Sequence, residues 1–199
     1  MLHTKALTDA TVYAIADNLQ VSTLDLSENP RITDAGLLRL AATQSNTLQC
    51  LYADGTSVTA AGVGTLIRKC SKLFRLSLPW NLNQEYFITH VMPYCNNLKT
   101  IAFPDRTRLR DPFLLSLAHH CPNLENLTLF VNDDADAGVR AVIKKCTRLR
   151  KVLLHKKNLL LSVAWLLLRP GLKFPHTIDD LLEFQYKFKA CDSPKFIML

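Results

Sequence analysis

Apolar residues return along this chain in two alternating rhythms. Six segments open on an apolar residue and read VSTLDLSEN from Val21, LQCLYADGT from Leu48, LFRLSLPWN from Leu73, LKTIAFPDR from Leu98, LENLTLFVN from Leu124 and LRKVLLHKK from Leu149, spaced 25 to 27 residues apart. The last of them is degenerate, but positions one, four and six are apolar in all six. Leu24 and Leu26, Leu51 and Ala53, Leu76 and Leu78, Ile101 and Phe103, Leu127 and Leu129, and Val152 and Leu154 fill the latter two. Alternation over so short a run predicts one strand per unit with a single buried face. Position nine is Asn29, Asn81 or Asn132 in three units, where a side-chain amide can satisfy backbone groups as the chain leaves the strand.

The second half of each unit changes to helical spacing. Leu37, Leu40 and Ala41 form one stripe, and Val63, Leu66 and Ile67, then Ile88, Val91 and Met92, then Phe113, Leu117 and Ala118, then Val139, Val142 and Ile143 repeat it. Thr33 or Asp34, Thr59 and Asp111 stand where N-caps belong, and Pro112 suits a first helical turn. One strand and one helix cannot bury their own apolar faces, so successive units must stack, giving a curved solenoid with parallel strands inside and helices outside. Six strands make a stack of only about 30 Å. Residues 7–19, LTDATVYAIADNL, read as the helical half of a further unit. The organisation expected is an N-terminal half-repeat or cap over residues 1–20, about six repeats over 21–170, and a C-terminal cap helix and tail over 171–199.

The units end in a fixed phrase, CSKL at Cys70, CNNL at Cys95, CPNL at Cys121 and CTRL at Cys146, and carry a second one as ITDAGL from Ile32, VTAAGV from Val58 and DADAGV from Asp134. With these phrases, residues 6 to 155 resemble the cysteine-containing leucine-rich repeats of F-box protein substrate arms and of some stand-alone ciliary and cell-cycle proteins. Asn18 and Ser45 stand at the cysteine position in the first two units. The resemblance implies an α/β leucine-rich-repeat solenoid, a short right-handed arc with parallel strands on the concave face and helices on the convex face.

The net charge of +7 is uneven: residues 1–60 carry six acids and three Lys or Arg, leaving about +10 on the rest. From Ala137 to Ile178 there is no Asp or Glu. Arg140, Lys144, Lys145, Arg148, Lys156 and Lys157 form a candidate docking patch there, and the partner expected is a protein with an acidic surface. His155 is the one ring from Arg140 to Lys157, a poor platform for stacking bases, so nucleic acid is not the expected partner. The longest apolar run, Leu159 to Leu168, is about half of what a membrane-spanning helix needs, and the N-terminus lacks the h-region of a secretory signal.

Strand positions that alternate with the leucines should face a partner on the concave wall. They are Asp25, Tyr52, Arg75, Ser77, Thr100, Asn126, Thr128, Lys151 and His155, with Trp80 and Phe130 just beyond. Aromatic and Arg residues anchor protein interfaces, although Trp80 and Phe130 have an alternative place as local core. Repeat cysteines strung one per unit do not converge on one metal ion, and read as small core residues. Cys50 and Cys191 fall outside the pattern, and unpaired thiols favour a reducing compartment. His119 and His120 beside Cys121 form a nucleophile pair in principle, yet Cys121 is already explained by packing. Asp133, Asp134 and Asp136 lack the spaced ligands of a calcium loop and read as helix capping. P-loop, dinucleotide and hydrolase signatures are not found, so neither an enzyme nor a cofactor or small-molecule substrate is expected.

After Arg169, Pro170 and Gly171 the pattern changes. Thr177 caps a helix expected over residues 178–188, a lid on the open end of the stack, and the final KFIML is apolar without evident pattern, tucked into that lid or a partner. The resemblance implies a scaffold or adaptor subunit in the cytoplasm or ciliary axoneme, with the dynein-regulatory (nexin) machinery as its first candidate home. Substrate recognition for a cullin-type ubiquitin ligase is the alternative, although no F-box is found ahead of the repeats. Regulation of a small GTPase is a third, set against the longer, cysteine-free repeats of that family.

Overall fold

The computed structural model describes residues 7–104, 107–131, 135–155 and 196–198. Each apolar segment becomes a short strand: β1 (Thr23–Asp25), β2 (Cys50–Tyr52), β3 (Arg75–Ser77), β4 (Thr100–Ala102), β5 (Asn126–Phe130) and β6 (Lys151–His155). Between them run the helices, α1 (Asp9–Asn18) before β1, then α2 (Asp34–Thr43), α3 (Ala60–Lys69), α4 (Gln84–His90), α5 (Asp111–His120) and α6 (Asp136–Lys145). A last strand, β7, covers Phe196–Met198. The architecture is α/β with a parallel sheet in the order β6-β5-β4-β3-β2-β1-β7, and the helices pack against one another in chain order.

Register is set by the leucines. Leu24 pairs with Leu51, Leu51 with Leu76, Leu76 with Ile101, Ile101 with Leu127 and Leu127 with Val152, so position four of every unit forms one continuous row. That row and the position-six row from Leu26 to Leu129 are buried with the predicted helix stripes, except that Ile88 and Ile143 are only partly buried against the core. A one-residue slip would turn a whole row to the wrong face, which is why the repeat specifies its pairing so strongly.

The ITDAGL phrase has a physical explanation. Asp9, first residue of α1, accepts from the Thr33 N–H (2.9 Å), the Thr33 hydroxyl (2.6 Å) and the Gly36 N–H (3.1 Å) at the start of α2. Asp34 repeats this one unit on, accepting from the Thr59 N–H at 2.7 Å and its hydroxyl at 2.6 Å. Asp111 accepts from the Gly138 N–H at 2.6 Å. Helices α1, α2 and α5 therefore each cap the one that follows, and glycine is required where the carboxylate passes: a Cβ on Gly36 would sit 2.7 Å from Asp9 Oδ1. Asp34→Ala, which removes both contacts to the exposed Thr59 and keeps a helix-forming residue, should destabilise by about 1 kcal/mol in urea unfolding; a loss below about 0.3 kcal/mol would sink the account.

Several expectations need correction. Asp111 is not an N-cap: Arg110 holds that place without a side-chain bond, and Asp111 is spent on the next helix. Asn29 does turn back onto the Leu26 and Ser27 carbonyls at 3.2 and 2.9 Å, but Asn81 is exposed, because the connection from Leu78 to Leu82 is shorter than that from Leu26 to Ile32. The stripe through Val91 and Met92 is not one helix. Pro93 excludes the carbonyl four residues back, so α4 stops at His90 and a 3-10 turn over Met92–Asn97 follows. The counterpart of the repeat cysteine in the second unit is Gln44, which caps α2, and not Ser45. In the first, Leu19 follows α1 where Asn18 was expected. The tail does not close the far end of the stack: β7 lies beside β1, at the opposite edge. The helices expected after Lys156 and over residues 178–188 lie outside the described residues.

Candidate protein-binding face

The register that aligns the leucines also aligns the residues between them. One row on the opposite face runs Thr23, Cys50, Arg75, Thr100, Asn126 and Lys151, and its neighbour runs Asp25, Tyr52, Ser77, Ala102, Thr128 and Leu153. Eight of the expected positions are thus brought together on one wall, and the ninth, His155, pairs with Phe130 where β5 and β6 run on. Thr23, Cys50, Ala102 and Leu153 belong to the same rows. They escape a search for polar and aromatic anchors but follow at once from the period of two.

Location is as expected; exposure is not. Tyr52 is 1% exposed, Thr100 2%, Asp25 6%, Thr128 7% and Ser77 8%, while Arg75, Asn126 and Phe130 are half-buried. Side chains one strand apart stand about 4.8 Å from each other and shield their neighbours on both sides. Small residues such as Ser77, between Tyr52 and Ala102 in its row, sit below the level of larger ones. Hydrogen bonds within the wall hold it further: the Asn126 amide donates to the Thr100 hydroxyl at 3.4 Å, and the Asp25 carboxylate accepts from the Ser27 N–H at 2.9 Å. Trp80, beyond the end of β3, remains 47% exposed and is not local core. Its carbonyl accepts from the Thr107 hydroxyl at 3.4 Å, which ties the loop that carries it to the next unit.

The basic residues occupy a different surface. Arg140, Lys144 and Lys145 lie on α6 and Arg148 follows it, all exposed on the helical layer rather than on the sheet. Arg140 and Lys144, four apart, share a helix face. Lys156 and Lys157 lie outside the described residues, as do the side chains of Lys151 and His155.

The repeat cysteines serve the core. Cys70, Cys95, Cys121 and Cys146 are buried thiols, as is Cys50. The Cys95 and Cys146 thiols donate to the Val91 and Cys121 carbonyls at 3.5 and 3.3 Å, and Cys121 touches the Met92 sulfur at 4.0 Å. The adjoining Cys95 thiol and burial hold Cys121 well above the usual thiol range, the reverse of an activated nucleophile. His120 meanwhile lies against Ser116, 3.0 Å from its carbonyl. Burial pushes Cys70 up to about 11. At pH 8 its thiolate fraction should be roughly 100-fold below that of a free thiol, so Cys70 in the native chain should resist a disulfide reagent that labels it at once in urea. The stability tied to Cys70 is complete below the ordinary thiol pKa and declines as pH rises from 9 toward 11, since the unfolded chain gives up the proton first.

Among the described residues no group of three or more His, Cys, Asp or Glu could hold a metal ion, and no helix is long and apolar enough to cross a membrane. A shallow groove on the helical layer, lined by Tyr13, Asp17, Ala35, Leu38, Arg39 and Ala42, has its charges already paired, Arg39 to Asp17 at 2.7 Å. Asp136 opens α6, whereas Asp133 and Asp134 lie outside the described residues. No family model matches the chain, and no curated protein sequence matches it.

Proposed function

We propose that this chain is a leucine-rich-repeat solenoid that works as a non-enzymatic scaffold or adaptor, binding other proteins through its sheet wall and the basic surface of α6. The observation that carries the reading is the unbroken register: the position-four and position-six rows serve the core, which leaves the opposite rows with a rigid, aligned set of side chains and no structural duty inside the helical layer. Such a wall suits recognition of another folded surface. The buried positions act as its floor, and Trp80, Arg75 and Asn126 are the groups a partner reaches. The ciliary dynein-regulatory machinery is the first candidate assembly on the resemblance of the repeat phrases.

Charge reversal at Lys144, Lys145 and Arg148 is the direct test of the basic surface. Binding of an acidic probe, polyglutamate at low salt, should weaken by roughly 10- to 100-fold, at on the order of 0.5–1 kcal/mol per exposed charge. Unchanged binding would show that α6 is only solvated. Purification from the native source separates the assemblies: recovery of cullin with its F-box adaptor defeats the scaffold reading, and axonemal partners defeat the ligase one.

A further inference from the structure

Parallel pairing leaves β1 with two edges. The Ser22 carbonyl and the Leu26 N–H face β2, bonded to Cys50 and Tyr52 at 2.9 Å each, so alternation turns the Thr23 carbonyl and the Asp25 N–H the other way. An uncovered row of this kind is a template for any extended chain. Here β7 pairs with it, Phe196 opposite Thr23, Ile197 opposite Leu24 and Met198 opposite Asp25. Thr23 and Leu24 are fully buried.

The frame of that pairing is informative. Residues 191–199 read CDSPKFIML, which superimposes on CSKLFRLSL from Cys70, CNNLKTIAF from Cys95 and CPNLENLTL from Cys121: cysteine first, then Pro194, Ile197 and Leu199 at the three apolar positions. The segment is thus a seventh copy of the strand phrase, with proline for the opening leucine, and Cys191 belongs to the pattern after all. Sequence alone assigns Ile197 to position four, and the backbone register independently places it at the end of the row Leu24, Leu51, Leu76, Ile101, Leu127 and Val152. A tail held only by hydrogen bonds would have no reason to select this frame. On the helical side, α1 caps α2 through Asp9 as α2 caps α3, and β7 sits where the strand belonging to α1 would lie.

We infer that the outer edge of β1 is a strand-docking site and that its occupant is the chain's own Phe196–Met198 segment, which supplies the strand half of the unit whose helix is α1. Helix α1 and strand β7 then form one repeat. This holds whatever the opposite face binds.

Photocrosslinking on the full chain tests it without perturbing the fold. With benzoylphenylalanine replacing Phe196, irradiation should yield crosslinks within one chain to the segment Ser22–Leu26. Products on β6, or between two chains, would overturn the inference. In a second measurement Ile197→Pro removes an N–H from the ladder. Asp25 amide exchange should then rise roughly tenfold or more while Leu76 and Ile101 stay protected, and a synthetic Cys191–Leu199 peptide should restore protection where the same peptide carrying Ile197→Asp does not. Unchanged Asp25 exchange in the variant, or equal rescue by both peptides, would sink the proposal.

Discussion

Gln44→Leu should cost about 4 kcal/mol and lower the melting temperature by roughly 10 °C. The side chain is fully buried and uses nearly all of its hydrogen-bonding capacity. Its oxygen accepts from the Val21 N–H at 3.1 Å and the Thr47 hydroxyl at 2.8 Å, and its amide donates to the Ala16 and Leu19 carbonyls at 2.9 and 2.8 Å. Three backbone groups of the α1–β1 connection thus depend on one residue from the next unit. Leucine fills the volume and satisfies none of them, so the loss reports orphaned polar groups rather than a cavity. Gln44→Glu sharpens the test, since it presents an oxygen to both carbonyls; the variant should recover part of its loss at acidic pH, where a protonated carboxyl can donate. Thermal denaturation of the three chains decides the matter. A leucine variant within about 2 °C of the parent would mean that the connection finds other partners.

Phe113→Ala should cost about 4 kcal/mol as well, by a different mechanism. Phe113 on α5 meets Phe87 of α4 at 5.7 Å between ring centroids and Phe103, just after β4, edge-on at 5.3 Å and 88°. All three rings are buried, so truncation of the middle one removes both aromatic contacts and leaves a void bounded by two helices and a strand connection. Phe113→Leu, which keeps most of the volume, should cost only about 1.5 kcal/mol. Equal losses for alanine and leucine in urea unfolding would point to ring stacking, and a loss below about 2 kcal/mol for alanine to a core that collapses onto the gap.

Much of this architecture was legible in the chain. The strands, their shared frame and four of the five full helix stripes follow from aliphatic spacing, because a period-two row and a helical stripe each require only local information. The aligned outer rows were legible for the same reason. Their burial was not: the exposure of Tyr52 depends on Asp25 and Ser77, each about one unit away in sequence, and neighbours at that distance act through size rather than pattern. Gln44 was hidden by one extra residue in the turn before Leu48, which shifts the count from leucine back to the cap and points to Ser45. Asp111 fits the cap consensus by type, and only the approach of α6 shows that its carboxylate is used elsewhere. The docking of β7 joins the two ends of the chain, and a unit-by-unit reading that proceeds forward from Val21 assigns the terminal phrase no neighbour.

The carboxylate contacts between helices are not continuous. Ala60 stands where Asp9 and Asp34 have their counterparts, so α3 offers no capping carboxylate to α4, whose Asn83 cap turns inward to the Tyr86 N–H instead. Gln84 resumes the reach, donating to the Arg108 carbonyl at 2.8 Å, and Asp111 follows. Between α3 and α4 the helical layer relies on apolar packing and on the Arg68 bond to the His90 carbonyl at 3.2 Å. The missing carboxylate leaves the amides that open α4 held less firmly than those that open α2 and α3, and they should exchange with solvent sooner.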